Sequence, residues 1–382
     1  MIQNTSKWTR RNLLRASLGL GSCAVLPVRS QQRKSLDTTR GIVVAQIVDS
    51  SPSQLDVSRD YLVGSRAAWQ DVNAKGGING RHIQHLSLEV DGSNASMRAA
   101  LDSIKKIPHC VALSGTAGDR AASQLVKLLQ QDQYNIAHVA PWLQNSDLDG
   151  DNRTFPIFAS RQEQISQAIK SLATMSVPEL GAIYASDQEY ALYREDVELA
   201  SAALRMKLSS YKPTDNLIRV GKSLTLETPR ILLFIGGTPE LVQFTQGIDK
   251  QARQRYVVAL ADVNLQTMIQ MGAARHTPVI ATQVVPMVNS SLPIVKSYRD
   301  TMTRFFDEPT TPQSLAGFIA ARYTAEVLST IQGAPTRQSS LLAFQQRQPV
   351  NVNGFHVIFN AKGRSGSYVT QSMITPDGRL VG

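Results

Sequence analysis

The sequence predicts an α/β protein made of two doubly wound parallel-sheet lobes. Near-continuous apolar runs rich in β-branched residues alternate with amphipathic stretches, the pattern of parallel strands covered on both faces by helices. That alternation runs through the first part of the chain and starts afresh near Leu180. The chain also has 382 residues, more than a single core usually serves.

The elements follow in order. Residues 41–48 (Gly41-Ile42-Val43-Val44-Ala45-Gln46-Ile47-Val48) read as a strand ended by Asp49-Ser50-Ser51-Pro52. An amphipathic stretch over 57–73 reads as a helix, and Lys75-Gly76-Gly77-Ile78-Asn79-Gly80 as a turn. A strand over 82–90, a helix over 95–107 and a strand over 110–113 come next. The third strand ends in Ser114-Gly115-Thr116-Ala117-Gly118, a helix runs to about 131, and a fourth strand over 136–140 stops at Pro141-Trp142. In the second half, strands are expected at 180–185, 230–235 and 256–260, with helices at 189–206 and 240–252. Residues 279–285 read as a crossing strand and 314–331 as a long helix. The tail, 354–359 with 367–374, reads as a hairpin closing the chain.

Residues 1–30 stand apart. Thr9-Arg10-Arg11-Asn12-Leu13-Leu14-Arg15 precedes a short, Gly-rich apolar stretch, the pattern of an export signal too short to span a bilayer. The paired arginines resemble a twin-arginine signal; an ordinary secretory signal is the alternative. Cleavage after Ser30 would leave a periplasmic product with a linker over 31–40. Leu20-Gly21-Ser22-Cys23 also resembles a lipoprotein box, which would make Cys23 a lipid anchor. Beyond the signal only Cys110 remains, so neither an intrachain disulfide nor a thiolate metal cluster is expected. The formal charge of +10 owes half its value to Lys7, Arg10, Arg11, Arg15 and Arg29 of this segment. The rest is spread thinly, with no basic block interleaved with aromatics, so nucleic acid is not an expected partner.

Gly64 with Ala67-Ala68, followed by Asp71-Val72-Asn73-Ala74-Lys75-Gly76-Gly77-Ile78-Asn79-Gly80-Arg81, resembles the signature of the branched-chain amino-acid-binding (Leu/Ile/Val-binding-like) family of periplasmic proteins. Asp91-Gly92, Gly115-Thr116, Ala140-Pro141, Gln283-Val284-Val285-Pro286, Ser314 to Arg322 and Gly366-Ser367-Tyr368-Val369 are similar to later family segments, in order. The resemblance implies a type I periplasmic-binding-protein fold whose chain crosses between lobes three times. It places the first lobe at 41–159 plus 284–334 and the second at 160–283 plus 335–382. It implies a monomeric solute receptor without a cofactor, handing a small molecule to the ABC permease complex in the inner membrane. A ligand would lie between the lobes at strand C-terminal ends and helix N-termini, which favour an anionic group.

The site residues expected on this basis are Ser51, Ser114, Gly115, Thr116, Ala117, Trp142, Gln144, Tyr190, Thr238 and Asp262. Ser114 to Ala117 sit where strand three meets its helix, so their amides and hydroxyls could hold a carboxylate; a plain helix cap is the other reading. Ser50 and Ser51 carry the same ambiguity after strand one. Trp142 and Gln144 follow Ala140-Pro141, where the family lines its cleft. Tyr190 stands where relatives have a tyrosine before glycine, here Ala191, and Thr238 where they carry an aromatic. Asp262 is the nearest acid to the place of an ammonium partner, and Ala159-Ser160-Arg161 departs from the arginine of the first crossover. Because the anion site is better kept than the ammonium site, the expected guest is a small carboxylate-bearing solute, an amino acid or an aromatic or organic acid.

Other classes have less in the sequence. There is no G-x-S-x-G elbow, and the six histidines form no metal-spaced helical pair. Gly221-Lys222-Ser223 resembles a P-loop end, but Asn216 replaces its first glycine. Asp147, Asp149 and Asp151 resemble a calcium loop, but Asn152 and Phe158 stand at its glycine and closing acid, so a solvated turn is expected. No catalytic or metal-binding set emerges. A receptor feeding a membrane signalling protein would use the same fold.

Overall fold

The computed structural model describes residues 41–213, 216–249, 251–273, 277–366, 368–374 and 380–381. The export signal and linker expected over 1–40 lie outside the described residues, as do residues 375–379.

The first lobe begins with β1 (Ile42–Asp49), α1 (Leu55–Ala74), β2 (Ile83–Val90), α2 (Asn94–Lys105), β3 (Cys110–Ser114), α3 (Asp119–Gln131), β4 (Ala137–Val139) and β5 (Thr154–Phe155). Its strands pair in parallel in the order β2-β1-β3-β4-β5. Every residue of β1 and β3 is buried, as the unbroken apolar runs require of strands covered on both faces.

The chain then crosses at 156–160 into α4 (Arg161–Thr174), whose capping box pairs Ser160 with Glu163. There follow β6 (Glu179–Tyr184), α5 (Asp187–Ala203), β7 (Lys207–Tyr211), α6 (Leu217–Ser223), β8 (Ile231–Ile235), α7 (Thr238–Ile248), β9 (Tyr256–Ala259), α8 (Leu265–Gln270) and β10 (Val279–Gln283). This second sheet runs parallel in the order β7-β6-β8-β9-β10.

A second crossing at 284–292 returns the chain to the first lobe through α9 (Pro293–Phe305), α10 (Pro312–Ser329), α11 (Arg337–Gln345), β11 (Val350–Val352) and β12 (Phe355–Val357). Residues 337–357 were expected in the second lobe, but their apolar side chains join the first lobe's core. Phe344 packs on Phe155 at 5.5 Å and on Tyr323 at 6.0 Å, and Arg337 donates to the carbonyls of Ile107 and Cys110. The third crossing therefore comes at 364–369, about thirty residues later than expected. There the almost fully buried Arg364 grips both carboxylate oxygens of Asp149 and the carbonyls of Leu143 and Phe158. Asp149 is thus a buried anchor of the crossing rather than part of a solvated turn.

The tail differs from expectation as well. Asn353 and Gly354 both take positive φ (46° and 94°), which closes a tight hairpin between β11 and β12. The segment expected to complete that hairpin, β13 (Thr370–Ile374), instead adds antiparallel to β10, followed by β14 (Leu380–Val381).

Candidate functional site

Strand order reverses between β1 and β3 in one sheet and between β6 and β8 in the other. At such switch points the loops leave in opposite directions and open a crevice beyond the strands' carboxyl ends. The cavity between the lobes lies there, about 760 Å³ in volume. From the first lobe it is lined by Ser53 and Gln54 after β1 and by Asp119 at the start of α3; from the second, by Ser186 and Glu189 of the β6–α5 turn and Gly236, Gly237 and Glu240 of the β8–α7 turn. Arg161, the first residue of α4, also lines it.

Helix starts therefore dominate the walls. Ser186 caps α5, accepting from the Glu189 amide, and Gly237 precedes α7 with Pro239 in its first turn. Gly118 takes φ 99°, turning the chain so that Asp119 rather than Ser114 opens α3. The Asp119 amide donates to Gln54 Oε1 at 3.0 Å, and its carboxylate accepts from the Gln144 amide at 2.7 Å.

Arg161 is the buried cation of the site, 3% exposed. It donates to Glu189 at 2.5 Å and to Asp262, and its guanidinium lies over the Tyr193 ring at 4.7 Å. Asp262 also accepts from Trp142 Nε1 at 2.9 Å. Burial by itself lowers the pKa of Arg161, but Glu189 and Asp262 more than offset it, so the group is held well above its ordinary value. Burial pushes the Asp119 carboxyl up to about 6, with Arg161 opposing and Asp262 adding. Burial likewise raises Asp56, Asp60 and Glu240. Among the described residues, buried polar atoms without a partner occur around the crevice: Arg161 Nε, Gln144 Nε2, Glu240 Oε2, Asp56 Oδ1 and Ser51 Oγ. No group of three or more His, Cys, Asp or Glu among the described residues could hold a metal ion.

The raised Asp119 carboxyl gives a testable pH dependence. Its folded pKa lies above the unfolded value of about 3.9, so the folded state retains a proton between roughly pH 4 and 6 that the unfolded chain has lost. This contribution makes the guest-free protein less stable as pH rises through that window. Asp119→Asn, which keeps an acceptor for Gln144, is expected to melt higher than the parent at pH 7 and to converge with it near pH 4. Parallel melting curves at pH 7 would refute this.

The residues anticipated from sequence divide sharply. Ser114 to Ala117 lie beneath the cavity, not along it. Ser114 pairs with Thr324 at 2.7 Å, Thr116 with His138 at 2.9 Å, and the amides of Gly115 and Ala117 donate to Val139 and Ile47. These groups are engaged inside the first lobe, and none of the four residues lines the cavity. Ser50 donates to the Val90 carbonyl and the Ser51 amide to Asp49; Ser53 and Gln54 take the wall position instead. Trp142, 1% exposed, packs edge-on to Tyr61 and reaches across the lobes to Asp262. Gln144 is buried and accepts from Gln164 at 2.7 Å. Tyr190 packs against Tyr184 and under Arg194, leaving the neighbouring Glu189 to face the cavity. Thr238 and Asn264 join the lobes, donating to Asp56 at 2.5 Å and to Asp60 at 2.8 Å. Sequence reasoning missed Asp119, Glu189 and Glu240 and gave Arg161 no role. An acid in the first turn of a helix, following Gly118, Ser186 and Gly237 in turn, was the available signal.

Two parallel-sheet lobes, three crossings and a polar crevice between them define a solute-binding protein of the type I periplasmic fold. The periplasmic binding protein family model matches residues 42–374, and the chain belongs to that family. The family consists of solute-binding receptors; this chain is a binding protein, not an enzyme. A substrate-binding periplasmic protein from Ralstonia solanacearum has a similar structure at TM-score 0.79 and 22% identity, covering 89% of this chain and 99% of that one. An extracellular ligand-binding receptor from Verminephrobacter eiseniae is similar at TM-score 0.79 and 19% identity, covering 90% and 100%. A possible leucine/isoleucine/valine-binding protein from Rhodopirellula baltica is similar at TM-score 0.76 and 18% identity, covering 90% and 96%. A comparison with curated protein sequences finds no match.

Proposed function

We propose that this chain is the exported, monomeric receptor of an ABC importer. It captures one small polar molecule between its lobes and presents the closed form to a permease complex. The interlobe cavity of about 760 Å³, walled by helix starts from both lobes, carries this reading. Its size suits a small metabolite, and residues from both lobes would touch the guest, coupling its binding to hinge closure. Contact falls to Gln54, Asp119, Arg161, Ser186, Glu189 and Glu240. A carboxylate handle at 114–117 has less support, because the amides of Gly115 and Ala117 have partners inside the first lobe. The Arg-Arg segment at 10–11 supports export to the periplasm by the twin-arginine route, with a free product favoured over one anchored at Cys23.

Mass spectrometry of protein purified without denaturation from the native periplasm tests the reading. One co-purifying small molecule, released on unfolding and rebinding in a one-to-one calorimetric titration, is expected. Protein that carries nothing and binds no member of a broad metabolite library would end it.

A further inference from the structure

The floor of the cleft holds more carboxyl groups than cations. Asp119, Glu189 and Glu240 stand in the first turns of α3, α5 and α7, and all three line the cavity. The Glu189 charge raises the pKa of both others, so it lies near each of them. Arg161, the cation among them, is already engaged by Glu189 and by Asp262, which lies behind it. Glu240 Oε2 is shut off from solvent without a partner. Helix dipoles offset part of the cost of these acids but supply no counter-cation.

Asp119 keeps its place at the start of α3 by accepting from the buried Gln144 backbone N–H at 2.7 Å. The remaining cations of the cavity are more exposed than these acids. Arg98 pairs with Asp132 at 2.5 Å, Arg120 is about half exposed and 3.8 Å from Asp49, and Lys127 is exposed. By exposure, then, the solvent-facing lining, taken as the mouth, is basic and the less exposed lining, taken as the floor, acidic.

Resting on the receptor reading above, we propose that the guest is a primary amine that enters ammonium first and carries no carboxylate beside that ammonium. An ammonium offers three donors and one positive charge to three carboxyl groups from three helices. An anionic group is accommodated only at the guest's far end, among the cations of the mouth. An α-amino acid cannot satisfy this arrangement, because its carboxylate sits one carbon from its nitrogen and would reach the same acidic floor.

The test is calorimetry on the exported protein, stripped of any guest by dialysis, with cadaverine, 5-aminopentanoate, leucine and benzoate as probes. Cadaverine and 5-aminopentanoate are expected to bind about 100-fold or more tightly than leucine and benzoate. Asp119→Asn and Glu240→Gln should each weaken cadaverine by roughly 10-fold or more without lowering the melting temperature. Asp119→Asn, which removes one negative charge from the floor, should also improve leucine binding. Leucine or benzoate binding as tightly as cadaverine, both variants retaining full cadaverine affinity, or no heat from any probe would each overturn the inference. A guest found by mass spectrometry in the same preparation would leave the receptor reading standing in any of those cases.

Discussion

Arg161→Met is expected to destabilise the protein by about 3–5 kcal/mol at neutral pH, among the largest effects of any single substitution here. The guanidinium is buried between Glu189 and Asp262, whose side chains are 22% and 1% exposed. Methionine fills much of the volume and keeps contact with the Tyr193 ring, so the loss is electrostatic rather than a cavity. Asp262 would retain only the Trp142 indole N–H, one hydrogen bond for a buried carboxylate. Denaturant melts of Arg161→Met, Asp262→Asn and the double variant form the decisive cycle. The double variant should be more stable than the sum of the two single losses. Strict additivity would mean that the pair is not coupled.

Gly317→Ala is expected to cost about 3 kcal/mol or more, although alanine favours a helix over glycine by roughly 1 kcal/mol. A Cβ on Gly317 of α10 would come within 1.9 Å of the Tyr61 carbonyl oxygen of α1. Gly64 of α1 is its counterpart, with the Ser314 carbonyl oxygen at 1.7 Å from an added Cβ. The two backbones touch there, and Ser65 Oγ bonds the Gly317 carbonyl across the crossing at 3.2 Å. Neither obstacle is a flexible side-chain end, so the helices must separate. The displacement would reach the crevice, since Gln313 at the start of α10 donates to the carbonyls of Ala261 and Val263 on either side of Asp262. Thermal melts of Gly64→Ala, Gly317→Ala and the pair check this. The pair should lose less than the sum, because helices already separated for one methyl accommodate the second.

Much of the fold was readable along the chain because burial leaves a local record. β1 and β3 are strongly apolar because helices cover both faces, and α10 announces itself by its long apolar face, though it begins at Pro312 rather than at 314. Gly64 entered through family resemblance alone; what it does, let α10 touch α1, needs both helices. The tail was misread for a related reason. Residues 354–359 and 370–374 both have strand character, but the positive-φ pair Asn353-Gly354 closes β12 onto β11 while β13 finds an edge of the second sheet.

The site was less readable than the frame around it. Ser114 to Ala117 have suitable chemistry at a suitable place, yet whether an amide faces a guest or a neighbouring strand depends on which carbonyl lies opposite. Here Val139 and Ile47 lie opposite. The sequence by itself determined the α/β class, the repeated half and the Gly-rich turns, because periodicity and backbone freedom are properties of adjacent residues. Only the tertiary structure decided that Asp119, Glu189 and Glu240 converge and that Arg161 serves Asp262. Charge interactions act through space, between groups far apart in the chain.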